Sequence, residues 1–366
     1  MKNRVVFILS MFLFVTSIIV LSSCAHSANE KADKASSKEE IKKIVYPSDV
    51  FTFYKDWNLI LGDGSNVGHP IDYVQKDFFY TVKDGSQEWV VYKAPNAGST
   101  HGTSNNTRTE LAQSKKWSAM TDAKLTGTLK VMNVSATGDA RVAASYSVVV
   151  GQIHSADGHE NEPLKIFYKK FPGHTKGSVF WHYEINTAGK DNSKRWDYST
   201  AVWGHDFSVV GETATTYPLE PENGIALDEE FSYEILVEEG IMTLSFMSKG
   251  HETKTFSKNL IKSDFAKSTD IPQQVRNLFF PIGQDGVERA NAYAEEGLFF
   301  KQGAYNQTNG KSPEVNMNWC SGAETHDGDI QKQYADGNYA EVWFKNATVI
   351  VDKDAYSNEG YFKKND

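Results

Sequence analysis

The sequence predicts an all-β fold, a two-sheet sandwich or jelly roll in which one sheet can curve and offer its concave face as a groove. Three observations predict it. Strand-period alternation recurs along the chain, long helical periodicity is scarce, and the strands follow one another without intervening helices. Leu125, Gly127, Leu129 and Val131 alternate with Lys124, Thr126, Thr128 and Lys130. Strands are also expected over 231–237, 241–246 and 253–256, as a meander with Gly240 and Gly250 at its turns. Further strands are expected over 141–150, 165–169, 179–185 and 339–351.

Ahead of this β region the chain has a different texture. Lys2 and Arg4 precede an apolar run over 5–21, followed by Ser22, Ser23 and Cys24. A basic start, an apolar stretch and a close of small residues read as a secretory leader. The run approaches spanning length, so a single membrane anchor is the alternative. Leu21-Ser22-Ser23-Cys24 resembles a bacterial lipobox, whose cysteine is lipidated and becomes the mature N-terminus. Residues 25–45 are rich in Lys, Glu, Ala and Ser and cannot bury enough surface to fold alone. The expected organisation is therefore a leader over 1–24, a charged tether over 25–45 and one domain over 46–366. The product would be exported and held on a bacterial membrane, at the outer membrane or cell surface, by lipid on Cys24.

Composition narrows the function. The chain has 366 residues, with 40% hydrophobic and 13% aromatic, enough for one large β domain. Its net charge of −9 argues against nucleic acid as a partner. An acidic protein can still bind an acidic polymer through a locally basic groove. The two cysteines, Cys24 and Cys320, exclude a C-x-x-C metal or redox site. With Cys24 lipidated, Cys320 reads as a bland thiol beside Trp319. Two stretches rich in Gly, Ser and Asn, about 93–106 and 309–337, are long enough to be lids or rims of a groove.

Three distant stretches set polar groups two residues apart. They are Arg108-Thr109-Glu110-Leu111, Gln152-Ile153-His154 and 299–307, Phe-Phe-Lys-Gln-Gly-Ala-Tyr-Asn-Gln. On a strand, residues i and i+2 share a face. Arg108 and Glu110 then share one, Gln152 and His154 another, and Lys301, Tyr305 and Gln307 a third. If the three strands adjoin, one face gathers a guanidinium, an amide, an imidazole, a phenol and an ammonium.

That set suits cutting a uronic acid polymer by β-elimination, which needs three jobs filled. Fixed donors must spread the charge that develops on the sugar carboxylate. Arg108 matches a carboxylate with its planar fork, and Gln152 and His154 can add donors. A base must take the proton beside the carboxylate, and an acid must protonate the leaving oxygen. Tyr305 and His154 are the candidates. One residue can serve twice when proton and leaving group are syn; an anti arrangement needs two.

These stretches resemble the three signature motifs of alginate lyases of polysaccharide lyase family 7, R-(S/T)-E-L-R, Q-(I/V)-H and Y-F-K-x-G-x-Y-x-Q, in the same order. The resemblance implies a β-jelly roll with an active-site groove and alginate polymer or oligosaccharides as substrate. It implies that Arg108, Gln152 and His154 neutralise the substrate carboxylate. Tyr305 would be the acid, and the base for syn geometry; His154 would be the base for the anti geometry of guluronate. Lys301 and Gln307 would contact neighbouring sugars, and Asn306 and Glu110 join them as candidate substrate contacts. Glu110 also reads as an ion-pair partner of Arg108. Isoleucine at 153 hints at guluronate acceptance. Ala112 departs from the family, standing where a second arginine is usual; Phe299 replaces a tyrosine. Nothing in this chemistry requires a metal or other cofactor, and the expected state is a monomer.

Two other classes compete. A glycoside hydrolase would need paired carboxylates, and Glu230 and Glu234 share a strand face. A non-catalytic sugar-binding lipoprotein could use Trp181, Trp203 and Trp319 as groove aromatics.

Overall fold

The computed structural model describes residues 45–100, 104–156, 162–185, 196–261, 293 and 297–352. The expected leader, Cys24 and the tether up to residue 44 lie outside the described residues.

The described residues form two antiparallel sheets. One is ten-stranded. Edge to edge it runs Trp196–Trp203, Lys176–Ile185, Leu164–Lys169, Ser147–Ser155, Gly297–Asn306, Arg108–Gln113, Trp57–Ile60 and Asn66–Gly68. Ile225–Ala226 and Trp117–Ser118 pair alongside. The other, seven-stranded, runs Lys254–Asn259, Ile241–Ser248, Glu230–Glu238, Ala123–Asn133, Tyr339–Val351, Gln87–Pro95 and Phe79–Asp84.

Alternation decides which side faces inward. In Glu230–Glu238, Phe231, Tyr233, Ile235 and Val237 are buried, and Leu125, Leu129 and Val131 sit beside them on Ala123–Asn133. Leu111, Val150, Ile153, Ile166 and Phe300 of the ten-stranded sheet belong to the same core. Fully burying each such side chain stabilises by about 1.5–3 kcal/mol. Across this core, Gln302 Nε2 donates to Tyr233 Oη at 2.7 Å.

The meander matches the expectation, with Gly240 and Gly250 at positive φ of 78° and 87°. The strand expected over 141–150 begins later, at Ser147. Residues 141–146 are mostly buried but turned. Arg141 N donates to Asp139 Oδ1 at 2.9 Å, and Tyr146 sits at φ 64°. A buried apolar run there reflects packing under a turn and not a ladder.

Glu230 and Glu234 lie on the outer face of the seven-stranded sheet, paired with Lys345 and, at 2.5 Å, with Lys124. They flank no groove, which removes the carboxylate pair that the hydrolase reading needed. Trp181 and Trp203 are core residues, 2% and 1% exposed, and cannot be groove aromatics.

Candidate active site

Ser147–Ser155, Gly297–Asn306 and Arg108–Gln113 are neighbours in the ten-stranded sheet. Phe299 faces His154, Lys301 faces Gln152 and Ala112, and Tyr305 faces Arg108 across the ladders. A register shift between Val149 and Gly151 breaks the simple alternation. Val150 and Ile153, three apart, therefore both enter the core, and His154 turns to the opposite face. A second irregularity falls between Gln302 and Tyr305, at Gly303 with φ 150°. A Cβ at Gly303 would meet Thr109 O at 2.5 Å and Glu110 Cα at 2.8 Å, so glycine lets the two strands close together there.

This face opens into a cavity of about 740 Å³. Arg108, Glu110, His154, Lys301, Tyr305 and Gln307 line it, with Ser104, Asn106, Lys116, Glu162, Lys165 and Trp319. Ala112 lines it too, near Asn58 and Asn66, so the missing arginine leaves a small residue in the wall.

Glu110 is the hub of the floor. It is 1% exposed and lies 2.6 Å from Lys301 Nζ and 3.3 Å from Arg108 Nη1. Gln152 Nε2 also donates to it. Burial pushes the Glu110 carboxyl pKa up, but Lys301 and Arg108 outweigh it and hold the group below the usual carboxylate range. Burial and the neighbouring Arg108 lower the Lys301 pKa, with Glu110 opposing. Arg108 is raised: burial lowers it, but Tyr305, Glu110 and Glu162 together overcome that.

Arg108 stands over the Tyr305 ring, 3.7 Å from guanidinium carbon to centroid. Ser104 Oγ joins them, 3.1 Å from both Tyr305 Oη and Arg108 Nη2. Arg108 Nε is buried and has no hydrogen-bond partner among the described residues. The Tyr305 ring packs on Val149, Phe167 and Phe180.

His154 stacks on Phe299, with ring centroids 4.9 Å apart. Burial, then Lys301 and Arg108, push its pKa down to about 3, so the ring is neutral and able to accept a proton. Its side chain keeps 22% exposure toward the cavity.

Two expected residues are placed differently. Gln152 is fully buried behind the ionic cluster, donates to Glu110 and does not line the cavity. In this structure its side chain supports Glu110. Asn306 is also fully buried. Its amide nitrogen lies 3.0–3.3 Å from Asn96 Oδ1, Pro95 O and Ala94 O. Being one residue on from Tyr305, it points to the other face and ties loops together. Glu110, expected both as a possible substrate contact and as the ion-pair partner of Arg108, pairs with Arg108 and Lys301 and also lines the cavity.

Both long loops do reach the cavity. The first contributes Ser104, Asn105 and Asn106; the second contributes Trp319 and holds the short helix Ile330–Ala335. They are joined by Asn309 Nδ2 donating to Asn106 Oδ1 at 2.9 Å and by Gln333 with the backbone of Ala97. Ser104, Glu162 and Lys165 escaped sequence reasoning. Ser104 is one polar residue in a loop full of them, and nothing near Glu162 or Lys165 resembles a motif.

Comparison with known proteins agrees with this geometry. The alginate lyase family profile matches residues 54–351. A crystal structure of an exolytic alginate lyase of polysaccharide lyase family 7 from Zobellia galactanivorans is 65% identical. The match covers 83% of this chain and 97% of that one, with a TM-score of 0.77. An alginate lyase from Klebsiella pneumoniae is 30% identical over 219 residues, 59% of this chain and 59% of that protein. A Klebsiella pneumoniae alginate lyase crystal structure, 21% identical, shares the fold at a TM-score of 0.58, over 85% of this chain and all of its own. Matched over most of its length and carrying the two-sheet β-jelly roll of its relatives, this chain belongs to the alginate lyases of polysaccharide lyase family 7.

Proposed function

We propose that this protein cleaves alginate by β-elimination, with Arg108, His154 and Tyr305 as the groups that touch the reacting sugar. One observation carries the reading: all three open into the same cavity, beside a buried cluster that fixes their charges.

The uronate carboxylate pairs with Arg108, whose side chain lines the cavity and whose planar fork suits it. Lys301 adds positive field, and together they stabilise the charge that develops when the neighbouring carbon loses its proton. That C–H electron pair becomes a carbon–carbon double bond as the glycosidic C–O bond breaks. Tyr305 gives its phenolic proton to the leaving oxygen. For syn geometry the Tyr305 oxygen takes the sugar proton in the same step in which its own proton passes to the leaving oxygen, and it ends as the phenol it began as; for anti geometry, as in guluronate, neutral His154 takes the sugar proton. Gln307 and Lys301 contact flanking sugars.

We further propose exolytic attack. Phe207 packs on Phe167, Phe180 and Trp319, filling the sheet face beside the cavity on the Trp319 side. A filled end stops a polymer from passing through, and the relative from Zobellia galactanivorans is exolytic. Incubation with separate mannuronate and guluronate blocks tests both points. Ultraviolet absorbance of the new double bond rises, and small products accumulate from the start. No absorbance gain on any uronate polymer overturns the lyase reading. An early spread of mid-sized oligomers overturns the exolytic one.

The basic, apolar and small-residue run ending at Cys24 supports a lipid anchor on an exported protein. Mass analysis of the mature N-terminal peptide is expected to find it starting at Cys24 with acyl mass added. A peptide retaining residues 1–23, or lacking acyl mass, overturns this.

A further inference from the structure

We propose that Glu162 is a positioning residue for His154, an anion fixed beside the nitrogen that takes the substrate proton. The proposal rests on the reading of His154 as the base for guluronate.

His154 Nδ1 lies 2.5 Å from Ser155 O. A carbonyl oxygen can only accept, so Nδ1 carries the hydrogen and Nε2 holds the basic lone pair. Nε2 lies 3.4 Å from Glu162 Oε1. The carboxylate is held in place from behind. Glu162 N donates to Glu184 Oε2 at 2.9 Å, and Glu162 Oε2 lies 3.7 Å from Lys165 Nζ. Lys165 is in turn paired with fully buried Glu184. At 13% side-chain exposure, Glu162 is part of the cavity wall and not a loose surface acid.

The charges around His154 explain why such an anion matters. Lys301 and Arg108 both oppose a positive imidazole, and Glu110, which favours one, is already shared between those two cations. Proton transfer to Nε2 creates a cation in that setting. A carboxylate fixed next to Nε2 stabilises the imidazolium as it forms and not before, which lowers the barrier for that step. The proton taken by Tyr305 in the syn reaction lands elsewhere and gains little from Glu162. The effect should therefore divide by substrate.

Glu162→Gln keeps the shape and removes the charge. Its kcat on guluronate blocks is expected to fall about tenfold relative to its kcat on mannuronate blocks, with KM on guluronate changed less than kcat. Glu162→Asp, which keeps the charge on a shorter stem, should recover part of the loss. Thermal unfolding of each variant separates misfolding from chemistry. Equal loss on both blocks, or no loss on either, overturns the proposal and leaves Glu162 as a brace for Lys165. His154→Asn serves as the control: if it spares guluronate turnover, the assignment of the base is what fails.

Discussion

Tyr305→Phe is expected to lower lyase turnover by roughly 10²–10⁴-fold while the protein still binds alginate oligosaccharides. The substitution deletes one oxygen and its proton. Everything the ring does survives: packing on Val149, Phe167 and Phe180, and the Arg108 guanidinium 3.7 Å above it. Only the hydrogen bond with Ser104 Oγ at 3.1 Å disappears, a neutral and partly solvated one worth about 1 kcal/mol. Stability should therefore barely move, and KM should change far less than kcat. Because Tyr305 supplies the acid for either sugar, both mannuronate and guluronate turnover should fall. Rates by ultraviolet absorbance and binding by calorimetry check this. Turnover within tenfold of the parent protein would remove Tyr305 from the chemistry, and a matched loss of binding would make it a wall residue.

The sequence carried the fold and most of this site because strand alternation is a local rule. Phe231 to Val237 bury every second side chain, and Arg108, Glu110 and Ala112 follow the same rhythm into the cavity. Asn306, expected as a substrate contact, runs against the same rule: it neighbours Tyr305 and so points the other way. What alternation could not reveal was its own interruption. The shift between Val149 and Gly151 depends on the pairing partner and leaves no mark in the local pattern. Nor does any local signal tell that Gln152, though on the correct strand, is sealed behind Glu110. Glu162 and Ser104 were silent for a related reason. Their roles come from what folding sets against them, His154 in one case and Tyr305 with Arg108 in the other.

Glu110→Ala is expected to be the most damaging single change to the site, destabilising the protein by about 3–5 kcal/mol. Breaking a buried ion pair is costlier than never having built one, because the surviving charges lose their partner and cannot regain water. Here two cations would be left. Lys301 is 6% exposed and already lowered by burial and by Arg108; without the carboxylate at 2.6 Å it would tend to release its proton. Arg108 cannot do so and would move toward solvent, away from the Tyr305 ring. Activity should fall with stability, since the carboxylate-binding cation is no longer held. Glu110→Gln keeps the volume and separates cavity from charge; most of the loss should persist. The pH dependence follows from the sign of the shift. The folded-state pKa of Glu110 is lowered, so its contribution is present above the unfolded carboxylate value of about 4.3 and is lost as pH falls through the folded one. The parent protein should lose stability across that acid window more steeply than Glu110→Gln, and the gap between them should narrow there. Urea unfolding at a series of pH values measures it. Equal stability of parent and variant at neutral pH would mean that the cluster orders the site without holding the fold together.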